Sequence, residues 1–209
     1  MIDTETMWYN IFSEVLDRDY GFQFPIEEYV KCVGISDQIV YDFVQQELGD
    51  KIEMDIFRRK IQSHFHEVKE QLELRDGILN LLQCARENGM KIGLATSSFL
   101  DWGVPFLNRL NLVEYFDVIK TRDHVKNIKP APELYLKTLE ELRVEPHEAM
   151  AIEDSLNGSN AAISAGINCI VIPNQVTAHL DFHPKCKVYQ RIPVKLEGIC
   201  VRKSWSKAQ

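Results

Sequence analysis

The chain has 209 residues, of which 45% are apolar and 26% are charged, and its formal net charge is −7. This composition is typical of a globular protein with a sizeable core, and the acidic balance argues against a nucleic-acid or membrane-surface binder. No apolar run approaches the roughly 18 residues that a membrane-spanning helix needs.

The first third of the sequence has a helical pattern. Apolar residues recur at helical spacing over residues 8–16, with Gly21 as the stop. Ser36 is a candidate N-cap for a second helix that ends at Gly49. A longer helix carries an apolar stripe over residues 57–72. No strand pattern occurs in this part of the sequence, which therefore predicts a helical module.

After Gly77 the pattern changes to short apolar strands that alternate with helices. The strands are predicted at residues 90–95, 118–120, 149–153 and 168–172. Strands that alternate with helices in this way are typical of a parallel sheet built from βαβ units. The fold class is therefore predicted as α/β, with a helical module ahead of a parallel sheet.

The last part of the sequence differs again. From Lys185 onward seven basic residues face one acidic residue, Glu197, and apolar periodicity is poor, which predicts a weakly ordered basic tail. The five cysteines are dispersed and lack metal-ligand spacing. This usage is typical of a reducing cytoplasm, where buried thiols serve as small hydrophobic groups.

Polar side chains follow three of the predicted strands, at the edge where α/β sheets bind ligands. Thr96 and Ser97 follow the first strand, Lys129 lies in the loop after the second, and Glu153 and Asp154 end the third. Hydroxyl and backbone N–H groups bind phosphate oxygens, and lysine is a point charge for phosphate. Paired carboxylates suit Mg²⁺, so the set predicts a phosphoryl-transfer site.

Each of these features alone has an ordinary explanation. Thr96 and Ser97 are also typical of a strand-to-helix turn, Lys129 of a solvated loop, and Glu153 and Asp154 of a helix N-terminus. The order of the three features on consecutive strand ends favours the phosphate site. A phospho-receiver domain would use a different order, and a helical interaction module would leave the strand-end residues unexplained.

The motifs together resemble the haloacid dehalogenase superfamily, in its β-phosphoglucomutase-like and phosphoglycolate phosphatase-like branch. The likeness spans residues 2–180 and rests on "LATSS", "KPAPELY" and "IEDSLNG". It implies a Rossmann-like core at residues 75–180 and a helical cap at residues 4–74, and residues 181–209 are the basic tail that the composition predicts. It also implies Mg²⁺ at Glu153 and Asp154, and catalytic, phosphate-binding roles for Thr96 and Lys129, with Ser97 beside them.

The family's first motif matches this sequence only in part. That motif reads D-x-D-G, a short apolar stretch and then D-T-E, and only Asp3-Thr4-Glu5 corresponds to it here. The resemblance implies that the nucleophilic aspartate, the acid/base aspartate and the central strand before them lie upstream of residue 1. Residues 1–3 are then the remnant of this motif, and the chain as written is expected to be truncated or inactive.

The sequence therefore predicts a cytoplasmic, Mg²⁺-dependent phosphatase that forms an aspartyl phosphate and acts on a small phosphorylated metabolite. A phosphomutase of the same family and a non-catalytic scaffold that binds ligands remain open as alternatives. We expect a monomer that binds neither nucleic acid nor membranes.

Overall fold

The structure is a computed structural model and describes residues 1–192. The first half of the chain contributes the helices α1 (Thr4–Tyr20), α2 (Ile26–Tyr29), α3 (Gln38–Leu48), α4 (Met54–Val68) and α5 (Ile78–Glu87). The second half contributes β1 (Gly93–Ala95), α6 (Leu100–Arg109), β2 (Val118–Lys120), α7 (Glu133–Leu142), β3 (Met150–Glu153), α8 (Leu156–Ser164), β4 (Asn168–Val171) and β5 (Lys187–Val188).

Helices α1–α4 form a unit with its own core, which we call the helical unit. Its longest helix begins where the Asp3 carboxylate accepts a hydrogen bond from the Thr6 backbone N–H at 3.0 Å. The helix ends at Gly21, whose φ of 61° is easy only for glycine. The apolar stripes of α1 and α4 meet inside the unit, where Phe12 and Phe57 are fully buried.

The strands form two parallel sheets, β1–β2 and β3–β4–β5. Helix α7 packs on β1 and β2, whereas α8 packs on β3 and β4. Along β4, Cys169 and Val171 face the side of α7 and α8, and Ile170 faces the opposite side with α5 and α6. This alternation is expected of a strand covered by helices on both faces, and it confirms the predicted parallel α/β fold.

The two sheets are separated by an open gap between β1 and β3. Each of these strands pairs on one edge only among the described residues. A cavity of about 1480 Å³ runs through the gap and into the cleft beneath the helical unit. Ile152, in the middle of β3, is 38% exposed, although a parallel strand is normally covered on both faces.

The chain enters and leaves the helical unit at adjacent points. Ile2 and Leu74 form an isolated antiparallel bridge, and the Arg75 N–H donates to the Met1 carbonyl at 3.0 Å. The Arg75 guanidinium also donates to the carbonyl oxygens of Ile172 and Pro173, at 2.9 and 2.7 Å. The two segments that enter and leave the helical unit are therefore held at the carboxyl end of β4.

Several boundaries differ from those predicted. The first strand begins at Gly93 rather than at residue 90, and Asp37 rather than Ser36 occupies the N-cap position of α3. The tail predicted from residue 181 contains β5, which pairs with β4 and was too short to leave a pattern in the sequence. Residues 193–209 of that tail lie outside the described residues. Within residues 1–192, no helix is long and apolar enough to cross a bilayer.

Candidate active site

The loop after β1 presents hydroxyl groups at the carboxyl edge of the sheet. The Thr96 N–H extends the pairing with β2 by donating to the Lys120 carbonyl at 2.9 Å. The Thr96 hydroxyl oxygen accepts from the Ser98 N–H at 3.2 Å. The hydroxyl of Ser97 is buried and finds no hydrogen-bond partner among the described residues, although it borders the cavity. A buried hydroxyl without a partner is costly.

The ammonium group of Lys129 connects the two sheets. It donates to the Ala95 carbonyl at the end of β1 at 2.8 Å, and it lies 2.5 Å from a carboxylate oxygen of Glu153 at the end of β3. Tyr135 donates its phenolic hydrogen to the same oxygen of Glu153. Burial, followed by the adjacent carboxylate, raises the pKa of Tyr135 well above its usual range, so this phenol stays a donor.

The loop that carries Lys129 is fixed by a carboxylate at the start of α7. Glu133 accepts hydrogen bonds from the backbone N–H groups of Lys126 and Asn127, at 3.0 and 2.9 Å. These two bonds, followed by the side chain of Lys137, lower the pKa of Glu133 to about 2. The loop therefore has a defined conformation on its solvent side, which positions Lys129 on its inner side.

The two predicted metal acids differ in their surroundings. The Glu153 carboxylate is buried against the first turn of α8, where a Cβ added to Gly158 would lie 2.0 Å from the carboxylate oxygen. Only glycine leaves room for this approach. Asp154 is about one quarter exposed, and its carboxylate lies 3.6 Å from the Arg75 guanidinium. Its backbone carbonyl accepts from the Thr177 hydroxyl at 2.6 Å.

These surroundings bear on whether the residues fit a divalent cation. Mg²⁺ needs only one or two protein carboxylates, because it keeps several waters and binds substrate phosphate. Asp154 fits this requirement because it borders the cavity and is partly exposed. One oxygen of Glu153 is already engaged by Lys129 and Tyr135, so Glu153 has only the other oxygen to offer. No cluster of three or more candidate ligands occurs within residues 1–192.

A model of the haloacid dehalogenase-like hydrolase family matches residues 1–172, which is most of the chain. The chain belongs to the haloacid dehalogenase-like hydrolases. This hydrolase is 35% identical over 183 residues to YhcW of Bacillus subtilis (strain 168), covering 87% of this chain and 83% of that protein. It is 32% identical over 171 residues to the phosphorylated carbohydrates phosphatase of Thermotoga maritima, covering 81% and 79% of the two chains.

A solved structure also resembles the hydrolase. The crystal structure of CbbY from Rhodobacter sphaeroides in complex with phosphate has a TM-score of 0.70 and 29% sequence identity. The similarity covers 91% of this chain and 89% of CbbY. Relatives of the hydrolase therefore include phosphatases of phosphorylated carbohydrates, which supports the hydrolase class at the level of the family.

The structure of the hydrolase brings together the five residues predicted from sequence. Thr96, Ser97, Lys129, Glu153 and Asp154 all border the same cavity. Their roles in catalysis and in binding phosphate or metal remain predictions.

Sequence reasoning missed three further residues at this site of the hydrolase. Tyr135 and Arg75 contact the two acids. Glu5 is half-buried beside the cavity and accepts from the Tyr29 hydroxyl at 3.0 Å. Burial, partly offset by that bond, raises the pKa of Glu5 to about 7. The D-T-E motif contains Glu5 and the "KPAPELY" motif ends at Tyr135, but neither motif shows what these residues contact, since the contacts of Tyr135 and Arg75 form between distant segments.

Proposed function

We propose that this hydrolase is a phosphatase of a small phosphorylated metabolite, in the class of phosphorylated carbohydrates. The observation that carries the proposal is the convergence of the Thr96 loop, Lys129 and Asp154 on one cavity at the carboxyl edge of parallel strands. Lys129 and the hydroxyl groups of Thr96 and Ser97 hold the transferring phosphoryl group.

Mg²⁺ belongs to the proposal, with Asp154 as its main protein ligand and the free oxygen of Glu153 as the second. When bound, the ion neutralises charge on the phosphoryl oxygens. Lys129 contributes a fixed positive charge, and Glu153, itself held by Tyr135, positions its ammonium group. Thr177 holds the Asp154 backbone, which fixes the direction of the carboxylate.

The proposed nucleophile is an aspartate on a strand that fills the gap between β1 and β3. The open inner edges and the exposed Ile152 support a missing neighbour at this position. Met1 borders the cavity, so a strand that precedes it and runs parallel to β1 and β3 would leave the gap at the carboxyl edge, where Met1 lies. The carboxylate attacks phosphorus, the alcohol leaves, and water then hydrolyses the aspartyl phosphate.

The test compares the chain of residues 1–209 with the same chain preceded by an apolar strand and the D-x-D-G sequence. With p-nitrophenyl phosphate and a panel of sugar phosphates, we expect turnover in Mg²⁺ only from the extended protein. Lys129→Met and Asp154→Asn in the extended protein should each lower kcat by about 10²–10³-fold. Lys126→Met, in the same loop, is the control and should leave kcat unchanged.

Equal activity of the Lys129→Met, Asp154→Asn and control variants would contradict the proposal. A second candidate, a non-catalytic protein that binds phosphate, is favoured by the ion pair that already joins Lys129 and Glu153. Calorimetric binding of phosphate by the extended protein without turnover of any substrate would support that candidate. Transfer of the phosphoryl group to a second sugar position would instead identify a phosphomutase.

A further inference from the structure

Cys169 and Cys186 lie beside each other on neighbouring parallel strands. In the β4–β5 ladder, Ile170 is opposite Lys187 and Val171 is opposite Val188. One step earlier along both strands, the same register places Cys169 opposite Cys186. Partners in a ladder point to the same face of the sheet, so the two thiols share the face that α7 and α8 cover.

Cys186 also packs against the apolar cluster that contains Cys169, so both side chains lie in the same layer between the sheet and its helices. Neighbouring strands lie about 4.8 Å apart, which is within the roughly 4.4–6.8 Å that the Cα atoms of a disulfide span. Both cysteines are free thiols in this structure.

We propose that Cys169 and Cys186 form a reversible disulfide by exchange with a low-molecular-weight disulfide such as oxidised glutathione. The thiolate of the half-exposed Cys186 attacks one sulfur and expels one reduced glutathione. The buried Cys169 then loses its proton, attacks the Cys186 sulfur and expels the second glutathione. Two protein thiols are oxidised, and one glutathione disulfide is reduced to two thiols.

The different exposures of the two cysteines favour this order of attack. Cys186 is half-buried and opens to solvent at the start of β5, whereas Cys169 is only 3% exposed. An external oxidant reaches Cys186 first, and Cys169 is in place to resolve the mixed disulfide. A reactive thiol next to a resolving thiol is typical of redox-sensitive sites.

The disulfide would join the two ends of the segment between Cys169 and Cys186, and this segment supports the backbone of Asp154. Between the two cysteines, Asn174 accepts from the N–H groups of Val176 and Thr177, at 3.0 Å each. The Thr177 hydroxyl in turn donates to the Asp154 carbonyl. Oxidation therefore constrains the loop behind this acid, whether or not the acid holds a metal.

The test treats the full chain with oxidised glutathione or with dithiothreitol. We expect the oxidised protein to lose two hydrogen atoms in intact mass, with no retained glutathione, and proteolytic mapping to join Cys169 to Cys186. Closing a loop of this size should raise Tm by about 6–12 °C over the reduced protein. Dithiothreitol should reverse both changes.

Matched serine variants separate this pair from the other thiols. Cys84→Ser and Cys200→Ser should keep the disulfide and the shift in Tm, whereas Cys186→Ser should lose both. Cys169→Ser should trap glutathione on Cys186 as a stable mixed disulfide. The proposal is overturned if mapping joins another pair, if the wild-type protein retains glutathione on Cys186, or if the thiols stay free in the oxidant.

Discussion

The helical unit and the sheet differ in how completely they bury their apolar surface. In the helical unit, Phe12, Phe57, Ile61 and their neighbours are fully buried, and aromatic rings contact one another throughout the core. In the sheet, Ile152 remains exposed, and a cavity separates β1 from β3. Helices α1–α4 supply most of the core of the helical unit, with Phe106 and Val176 added from the second half of the chain, whereas the edges of β1 and β3 at the gap are unpaired among the described residues.

The largest expected effect comes from truncating a buried side chain of the helical unit, compared with truncating an exposed side chain of the sheet. Phe57→Ala in the helical unit should lower the free energy of unfolding by about 3–5 kcal/mol, because it leaves a cavity in a closed core. Ile152→Ala should cost less than about 1 kcal/mol, since this side chain is exposed in the gap. Urea unfolding of both variants measures the difference.

The same pair of variants tests the proposed strand between β1 and β3. In the protein extended by a strand ahead of Met1, Ile152→Ala should become as costly as other buried truncations, about 2–4 kcal/mol. The cost of Phe57→Ala should not change. An unchanged, small cost of Ile152→Ala in the extended protein would mean that the added segment leaves the gap open.

The next effect concerns the ion pair that joins the two sheets. Lys129→Met leaves the Glu153 carboxylate buried without its cation and should lower the free energy of unfolding by about 3 kcal/mol. The exposed pair of Lys31 and Glu28 in the helical unit is the control, and Lys31→Met should cost less than about 1 kcal/mol. Adding Glu153→Gln to Lys129→Met should restore part of the loss.

A smaller effect depends on pH and lies where the helical unit meets the cavity. Burial raises the pKa of Glu5 to about 7, so the folded state binds more protons than the unfolded state between about pH 4.5 and 7. The contribution of Glu5 to the free energy of unfolding therefore falls as pH rises through that range, by on the order of 3 kcal/mol. Glu5→Gln stays neutral and should be more stable than the wild type above pH 7.

Thermal or urea unfolding at a series of pH values checks the prediction for Glu5. The exposed Glu47 on α3 offers the control, because Glu47→Gln should leave the pH dependence unchanged. Parallel stability curves for the wild type and Glu5→Gln from pH 4.5 to 8 would contradict the raised pKa.

The smallest effect concerns the loop that holds Lys129. Glu133 accepts two backbone hydrogen bonds and has a lowered pKa of about 2, so its contribution is complete above about pH 4.5 and is lost as pH falls toward 2. Glu133→Gln should speed hydrogen exchange at the Lys126 and Asn127 amides near neutral pH. Glu140→Gln on the same helix is the control, and equal exchange in both variants would exclude the role of Glu133.

Much of the fold could be predicted because its signals are local. Helical spacing from residue 8 to 16, the stop at Gly21 and the alternation of strands with helices after Gly77 depend on residues close in sequence. Strand β5 was missed because a strand of two residues is too short to show an alternation of apolar and polar side chains. Its pairing with β4 depends on a partner 17 positions earlier along the chain.

The candidate site was predicted as a set of positions, and only the tertiary structure decided what those positions contact. The sequence by itself determined that Thr96, Lys129, Glu153 and Asp154 follow successive strands, because the carboxyl ends of parallel strands share one edge. It did not distinguish the two acids, which are adjacent in the chain. Burial against Gly158 and the contact with Lys129 distinguish Glu153 from the partly exposed Asp154, since such contacts join segments that only folding brings together.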